Sequence, residues 1–196
     1  MNPLQNLGLL LGTSFSSGLN LYATVAALGL LQRFGIIHLP ESLHVLSNPW
    51  VLGVALGLYV VEFFADKIPY LDTGWDIVHT FIRPPAAALL AFTAMGDVSP
   101  LWRWTAALLA GGVALTSHGT KATCRAAANT SPEPVSNWIL SVSEDALAVG
   151  LSWLASAHPL LTVILVVVLL ALSVYLLHHL FRFLRGIVRR ILPSKT

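Results

Sequence analysis

Glu62 and Asp66 stand four residues apart in "VEFFADKIP", so a helix carries both carboxylates on one face. A second acidic pair, Glu144 and Asp145, lies in "SVSEDALAVG". Between them, "SHGTKATCR" sets His118, Lys121 and Arg125 at spacings of three and four, again a single helical face. Glu62 ends one apolar run and Glu144 lies inside another. A charge at mid-membrane depth costs about 2.5–3.5 kcal/mol on insertion scales, so such groups face inward and pair. Carboxylates in that setting can bind a cation or take up a proton, His118 can ligate or carry a proton, and the basic face can hold an anion. Four acids (Glu62, Asp66, Glu144, Asp145) stand against four bases (Lys67, Arg83, Lys121, Arg125). The competing reading is a structural ion-pair network that pins broken helices. That reading suits Lys67, Asp72, Asp76 and Arg83 best, with Lys67 and Arg83 as interfacial anchors.

The elements that must position these groups follow from composition. Apolar residues make up 56% of the 196 and charged residues only 10%, against about 25% in soluble domains. Mean hydropathy is +0.75. The stretch 146–177 contains no Asp, Glu, Lys or Arg, where about 20 apolar residues suffice to cross a bilayer. These features predict an integral membrane protein of one domain, 1–196, with no nucleic-acid partner and no cofactor. The lone Cys124 excludes an internal disulfide. "MNPLQNLGLLLG" lacks a positive n-region, so no cleavable signal is expected. P-loop, dinucleotide, zinc and nucleophile-elbow motifs are absent from the sequence.

Hydrophobic stretches predict six elements at 4–34, 49–67, 84–95, 100–117, 134–156 and 159–181. All should be helices, because a lone span must satisfy its own backbone. The fold class is therefore all-α, a polytopic bundle of six transmembrane elements. Segment 84–95 would rise only about 18 Å, so 73–95 reads as a broken helix kinked at Pro84 and Pro85. Segment 4–34 is too long at about 46 Å. "GTSFSSG" offers either a break there or the small-residue face of a tilted helix. "NTSPEPVSNW" resembles a helix start, with Pro134 in the first turn and Ser131 and Ser136 as caps; its "NTS" also fits a glycosylation acceptor, but the cytoplasmic side expected for it argues against use. Trp50, Trp102, Trp104, His178 and His179 suit the membrane interface. The tail 182–196 reads as a basic amphipathic extension that meets anionic lipid headgroups through Arg182, Arg185 and Arg189.

With six crossings, nine of the eleven Lys and Arg fall on one side, which predicts that both termini are cytoplasmic. Sliding the chain on itself by 101 residues aligns "SSGLNLYATVAA" with "SHGTKATCRAAA", a weak repeat. Three spans per half would make repeats 4–95 and 100–184 inverted, as in many secondary transporters.

Four stretches, "VEFFADKIP", "RPPAAALLA", "SHGTKATCR" and "NTSPEPVSNWILSVSEDALA", resemble the DUF4126 family of small multi-span bacterial membrane proteins. The resemblance implies a polytopic inner-membrane protein and supplies no activity, substrate or site residue. The expected function is a small secondary transporter or channel-like permease for an ion or metabolite. Its candidate site is Glu62, Asp66, His118, Lys121, Arg125, Glu144 and Asp145. A non-catalytic scaffold is the alternative, and an intramembrane enzyme a weaker one, since His79 and His118 lack an obvious third metal ligand. So small a chain is compatible with a homodimer.

Overall fold

A helix that starts with Pro in its first turn and a polar residue just before it is well begun, and the chain repeats this device. Asn2 caps α1 (Pro3–Leu19), Asn48 caps α3 (Pro49–Ala65), and Ser99 precedes α6 (Pro100–Ala128). The computed structural model describes residues 2–96, 98–130 and 134–191. The remaining elements are α2 (Leu21–Arg33), a 3-10 segment (Glu41–Ser47), α4 (Leu71–His79), α5 (Arg83–Ala94), α7 (Pro134–Ala157) and α8 (Pro159–Ile191). Among the described residues there is no strand.

The centre of the fold is α1, which packs against α2, α5, α6, α7 and α8. Every residue from Gly8 to Leu19 is buried. "GTSFSSG" therefore lies inside a continuous helix as a small-residue packing face. At Gly12, an added Cβ would sit 2.7 Å from the Cβ of Ala155. The long first element does break, but at Asn20. Its backbone N–H still donates to Ser16, while its side chain accepts from Ala23 N–H and starts α2.

The other expected break is present too. α4 and α5 meet at 42° across residues 80–82, just before Pro84 and Pro85. The helix expected at 100–117 runs on to Ala128, which places His118, Lys121 and Arg125 on α6 itself. α8 continues unbroken to Ile191, so the basic tail to that point extends the last helix rather than forming a separate surface helix. Arg182 and Arg185 are exposed there; the side chain of Arg189 and residues 192–196 lie outside the described residues, as does Ser131.

The six-crossing expectation is only partly matched. Val135–Ala157 and Pro159–Phe183 are each long and apolar enough to cross a membrane. The count rises to four if Glu41–Ser47 with Pro49–Ala65, and α4 with α5, each form one bent span. Two features keep the rest below that mark. The break at Asn20 leaves α1 and α2 with 17 and 13 residues, and α6 spends positions on His118, Lys121 and Arg125.

Candidate functional site: a buried charge cluster at three helix ends

α6 presents Ser117, His118, Lys121 and Arg125 inward, all buried. Close approach of α1 makes this face useful. A Cβ on Gly18 would stand 1.9 Å from Ser117 Oγ and 2.3 Å from the Ala114 carbonyl, so only glycine permits the contact. Ser117 Oγ donates to the Phe15 carbonyl at 3.0 Å across the same seam. The end of α1 is thereby held beside the cations of α6.

A helix C-terminus leaves carbonyls without intrahelical partners and carries partial negative charge. Three such ends converge here. From the end of α1, Gly18 O accepts Arg83 Nη1 at 2.9 Å and Leu19 O accepts Lys121 Nζ at 3.1 Å. Just past α3, Asp66 O accepts Arg125 Nη1 at 2.6 Å. Near the end of α4, Asp76 O already accepts Thr80 N–H at 2.9 Å; it also receives Thr80 Oγ1 at 2.9 Å and lies 3.1 Å from His118 Nε2.

Carboxylates complete the cluster. Lys121 Nζ lies 3.2 Å from Glu62 Oε1, 2.8 Å from Asp66 Oδ2 and 3.5 Å from Glu144 Oε2. Arg125 Nη2 donates to Asp66 Oδ2 at 3.0 Å and also to Glu144 Oε2. Arg83 Nη2 donates to Glu62 Oε1 at 2.6 Å, and its Nη1 meets His118 Nδ1 at 2.8 Å. Guanidinium only donates, so His118 Nδ1 accepts and the ring is neutral, with its proton on Nε2. Thr80 Oγ1, spent as a donor on Asp76 O, accepts that proton at 2.9 Å.

All seven expected site residues are buried and gathered at one place, yet not all in one way. Asp145 has no cation within ion-pair reach among the described residues; Asn20 Nδ2 donates to it at 2.8 Å and Tyr59 OH at 3.3 Å. α3 and α7 touch only lightly, as where Tyr59 OH meets Asp145, and the cations of α6 stand between their carboxylates.

Arg83, read from sequence as an interfacial anchor, is completely buried and links Glu62, His118 and the end of α1. Lys67 is buried as well. Its Nζ donates to Phe63 O at 2.9 Å and Ser141 Oγ at 3.0 Å and lies over the Phe63 ring. Asp72 accepts from Asn129 Nδ2 at both carboxylate oxygens, at 2.9 and 3.1 Å. His79 Nδ1 donates to Trp75 O at 2.8 Å and its Nε2 meets Tyr22 OH at 3.0 Å.

The residues left outside the expected site had a signal. Asp72, Asp76, His79 and Arg83 fall at spacings of four, three and four, one continued helical face. Asn137, Ser141 and Glu144 repeat the pattern on α7. Asn20, a lone polar residue between two leucines, carried no periodicity at all.

Among the described residues, no three His, Cys, Asp or Glu side chains converge as a metal site. An apolar cleft of about 480 Å³ lies beside the cluster, lined by Leu21, Tyr22, Val51, Leu58 and Leu89 among others. Tyr22 belongs to both: its ring borders the cleft and its hydroxyl bonds His79.

The chain belongs to the family described as a domain of unknown function, DUF4126, whose sequence pattern matches residues 7–179. No curated protein and no solved structure matches it.

Proposed function

We propose that this chain is a polytopic protein of a bacterial inner membrane and works as a small secondary transporter or channel-like permease. In this reading the bent and broken helices complete six crossings, both termini face the cytoplasm, and the two halves are inverted repeats. The working site is the buried cluster around Lys121 and Arg125. One observation carries the reading: three helix C-termini point into one charged cluster, two of them at breaks, α1 at Asn20 and α4 at residues 80–82. Half-helix C-termini and unwound carbonyls are the groups that coordinate coupling cations in transporters with broken helices.

The charge balance favours a cationic species. Six carboxylates (Glu62, Asp66, Asp72, Asp76, Glu144, Asp145) are buried with four cations (Lys67, Arg83, Lys121, Arg125) among the described residues. An excess of negative charge in low dielectric draws in a small cation or protons. Reconstituted protein should therefore pass a small ion, or move a metabolite with one. Screening ions, amino acids and lipid-linked phosphates for thermal stabilisation of the purified chain identifies which. Failure of every compound to raise the melting temperature, together with no flux in vesicles, rejects transport.

A second reading, a non-catalytic membrane scaffold, is favoured by the sealing of the cluster. Glu62 is completely buried and its Oε1 is shared by Arg83 and Lys121. A network closed in this way holds helices together whether or not anything moves through it. The two readings differ in what the loss of one carboxylate does, which is testable.

A further inference from the structure

Among the described residues, Asp76 is the one carboxylate of the cluster with no hydrogen bond to either side-chain oxygen, at 2% exposure. Its nearest cation is Arg83, whose Nη1 stands 3.8 Å from Oδ1, beyond hydrogen-bond reach. Arg83 is held off by its other acceptors: Gly18 O, His118 Nδ1 and Glu62 Oε1.

The other groups around Asp76 do not fill the vacancy. From α6, His118 meets only the Asp76 backbone carbonyl, while Lys121 and Arg125 are engaged by Glu62, Asp66 and Glu144. From α3 and the turn after it, Glu62 and Asp66 add negative charge. On α4 itself, Asp72 is satisfied by Asn129 and His79 by Trp75 O and Tyr22. An ionised carboxylate buried without a donor is far costlier than the neutral acid.

We infer that Asp76 is a proton-binding carboxyl, neutral while Arg83 is docked on Glu62, and that its ligand is the proton. Releasing that proton to a water molecule breaks the carboxyl O–H bond, forms a new O–H bond on the water, and leaves the electron pair on a carboxylate that competes for Arg83. The guanidinium needs to approach by only about 1 Å to reach the range of a charge-assisted hydrogen bond. That shift draws Nη1 from His118 and Nη2 from Glu62, and leaves Glu62 to Lys121 alone. Arg83 opens α5 and His118 sits on α6, so protonation of Asp76 is tied to how α4 and α5 meet at residues 80–82. This inference rests on the transport reading and deepens it by naming the proton as the coupling ion.

Infrared spectroscopy of the full chain in lipid nanodiscs tests it, with aspartate carboxyl carbons isotopically labelled. At neutral pH the wild type should show a protonated-carboxyl stretching band that shifts with the label and fades as pH rises. The band should be lost in Asp76→Asn and kept in Asp145→Asn. If Asp76→Asn does not fold, Asp76→Glu carries the same test, because the band must then leave the labelled set. No labelled band in the wild type, or an undiminished one in Asp76→Asn or Asp76→Glu, overturns the inference. The band reports protonation without any transport. A protonated Asp76 in a protein that moves nothing across vesicles sinks the transport reading alone, and flux without the band sinks the proton site alone.

Discussion

Lys121 Nζ lies 2.8 Å from Asp66 Oδ2, although 55 residues separate them in the chain. This pair ties α6 to the turn after α3, and Lys121 also contacts Glu62, Glu144 and the Leu19 carbonyl. One ammonium thus joins the ends of α1 and α3 to the middle of α7. Three hydrogens cannot serve four acceptors equally, so the contacts share its charge.

Lys121→Ala should be the most damaging single change in the cluster. Removing one partner of a buried ion pair typically costs about 3–5 kcal/mol, because the other charges stay buried and uncompensated. Asp66→Asn should cost less, since the amide oxygen still accepts from Lys121 or Arg125. Thermal unfolding in detergent checks the order, and the double variant should lose less than the sum of the two. Additive losses would show that the 2.8 Å contact carries no coupling.

Gly18→Ala should loosen the seam between α1 and α6. The new methyl would overlap Ser117 Oγ and the Ala114 carbonyl, and overpacking of this kind costs about 1–3 kcal/mol. Backbone cannot yield as a side chain can, so adding Ser117→Ala should restore only part of the loss. Gly112→Ala is the control on the same pair's helix α6, where nothing lies within 4 Å of the added carbon. Equal melting temperatures for Gly18→Ala and Gly112→Ala would refute the close-approach argument.

The helices were legible because apolar run length and Pro-Gly punctuation are local signals. Residues 49–65, 83–94 and 134–157 emerged almost at the expected bounds. α6 was cut short at 117 since its polar inner face, His118 to Arg125, reads as the end of an apolar run. The pairing of Glu62 and Asp66 with Lys121 could be argued from charge balance alone. Arg83 could not, because a charge beside two prolines resembles a helix end at an interface, and only the tertiary approach of α1 and α6 buries it. The break at Asn20 escaped for another reason: a single capping residue inside an otherwise apolar run is a faint local signal, and its amide nitrogen is held by Asp145, far along the chain.

Reporter fusions should place the C-terminus and the 36–46 loop on opposite sides of the membrane, with the C-terminus cytoplasmic. Nine of the eleven Lys and Arg then lie inside, as the positive-inside rule requires. An external C-terminus would reverse the whole orientation. Reporters on the same side would remove a crossing and end the inverted-repeat proposal.

Glu62→Gln separates the transporter from the scaffold. Glu62 Oε1 accepts from both Arg83 and Lys121, while Oε2 has no partner among the described residues. A glutamine oxygen can take the first position and its amide nitrogen the second, so side-chain shape and both accepted contacts survive. What disappears is one negative charge among the cations. If the cluster works in transport, the variant folds with a melting temperature near wild type and loses flux or proton coupling, because coupling needs the ionisable group. If it is a structural clamp, the two cations around Glu62 lose their counter-charge and the melting temperature falls, while any flux in the surviving protein is unchanged. Glu144→Gln, which faces Arg125 and Lys121 from α7, should fall on the same side as Glu62→Gln in either case. Opposite outcomes for the two would mean that the cluster is not one functional unit, and that its α3 and α7 halves must be assigned separately.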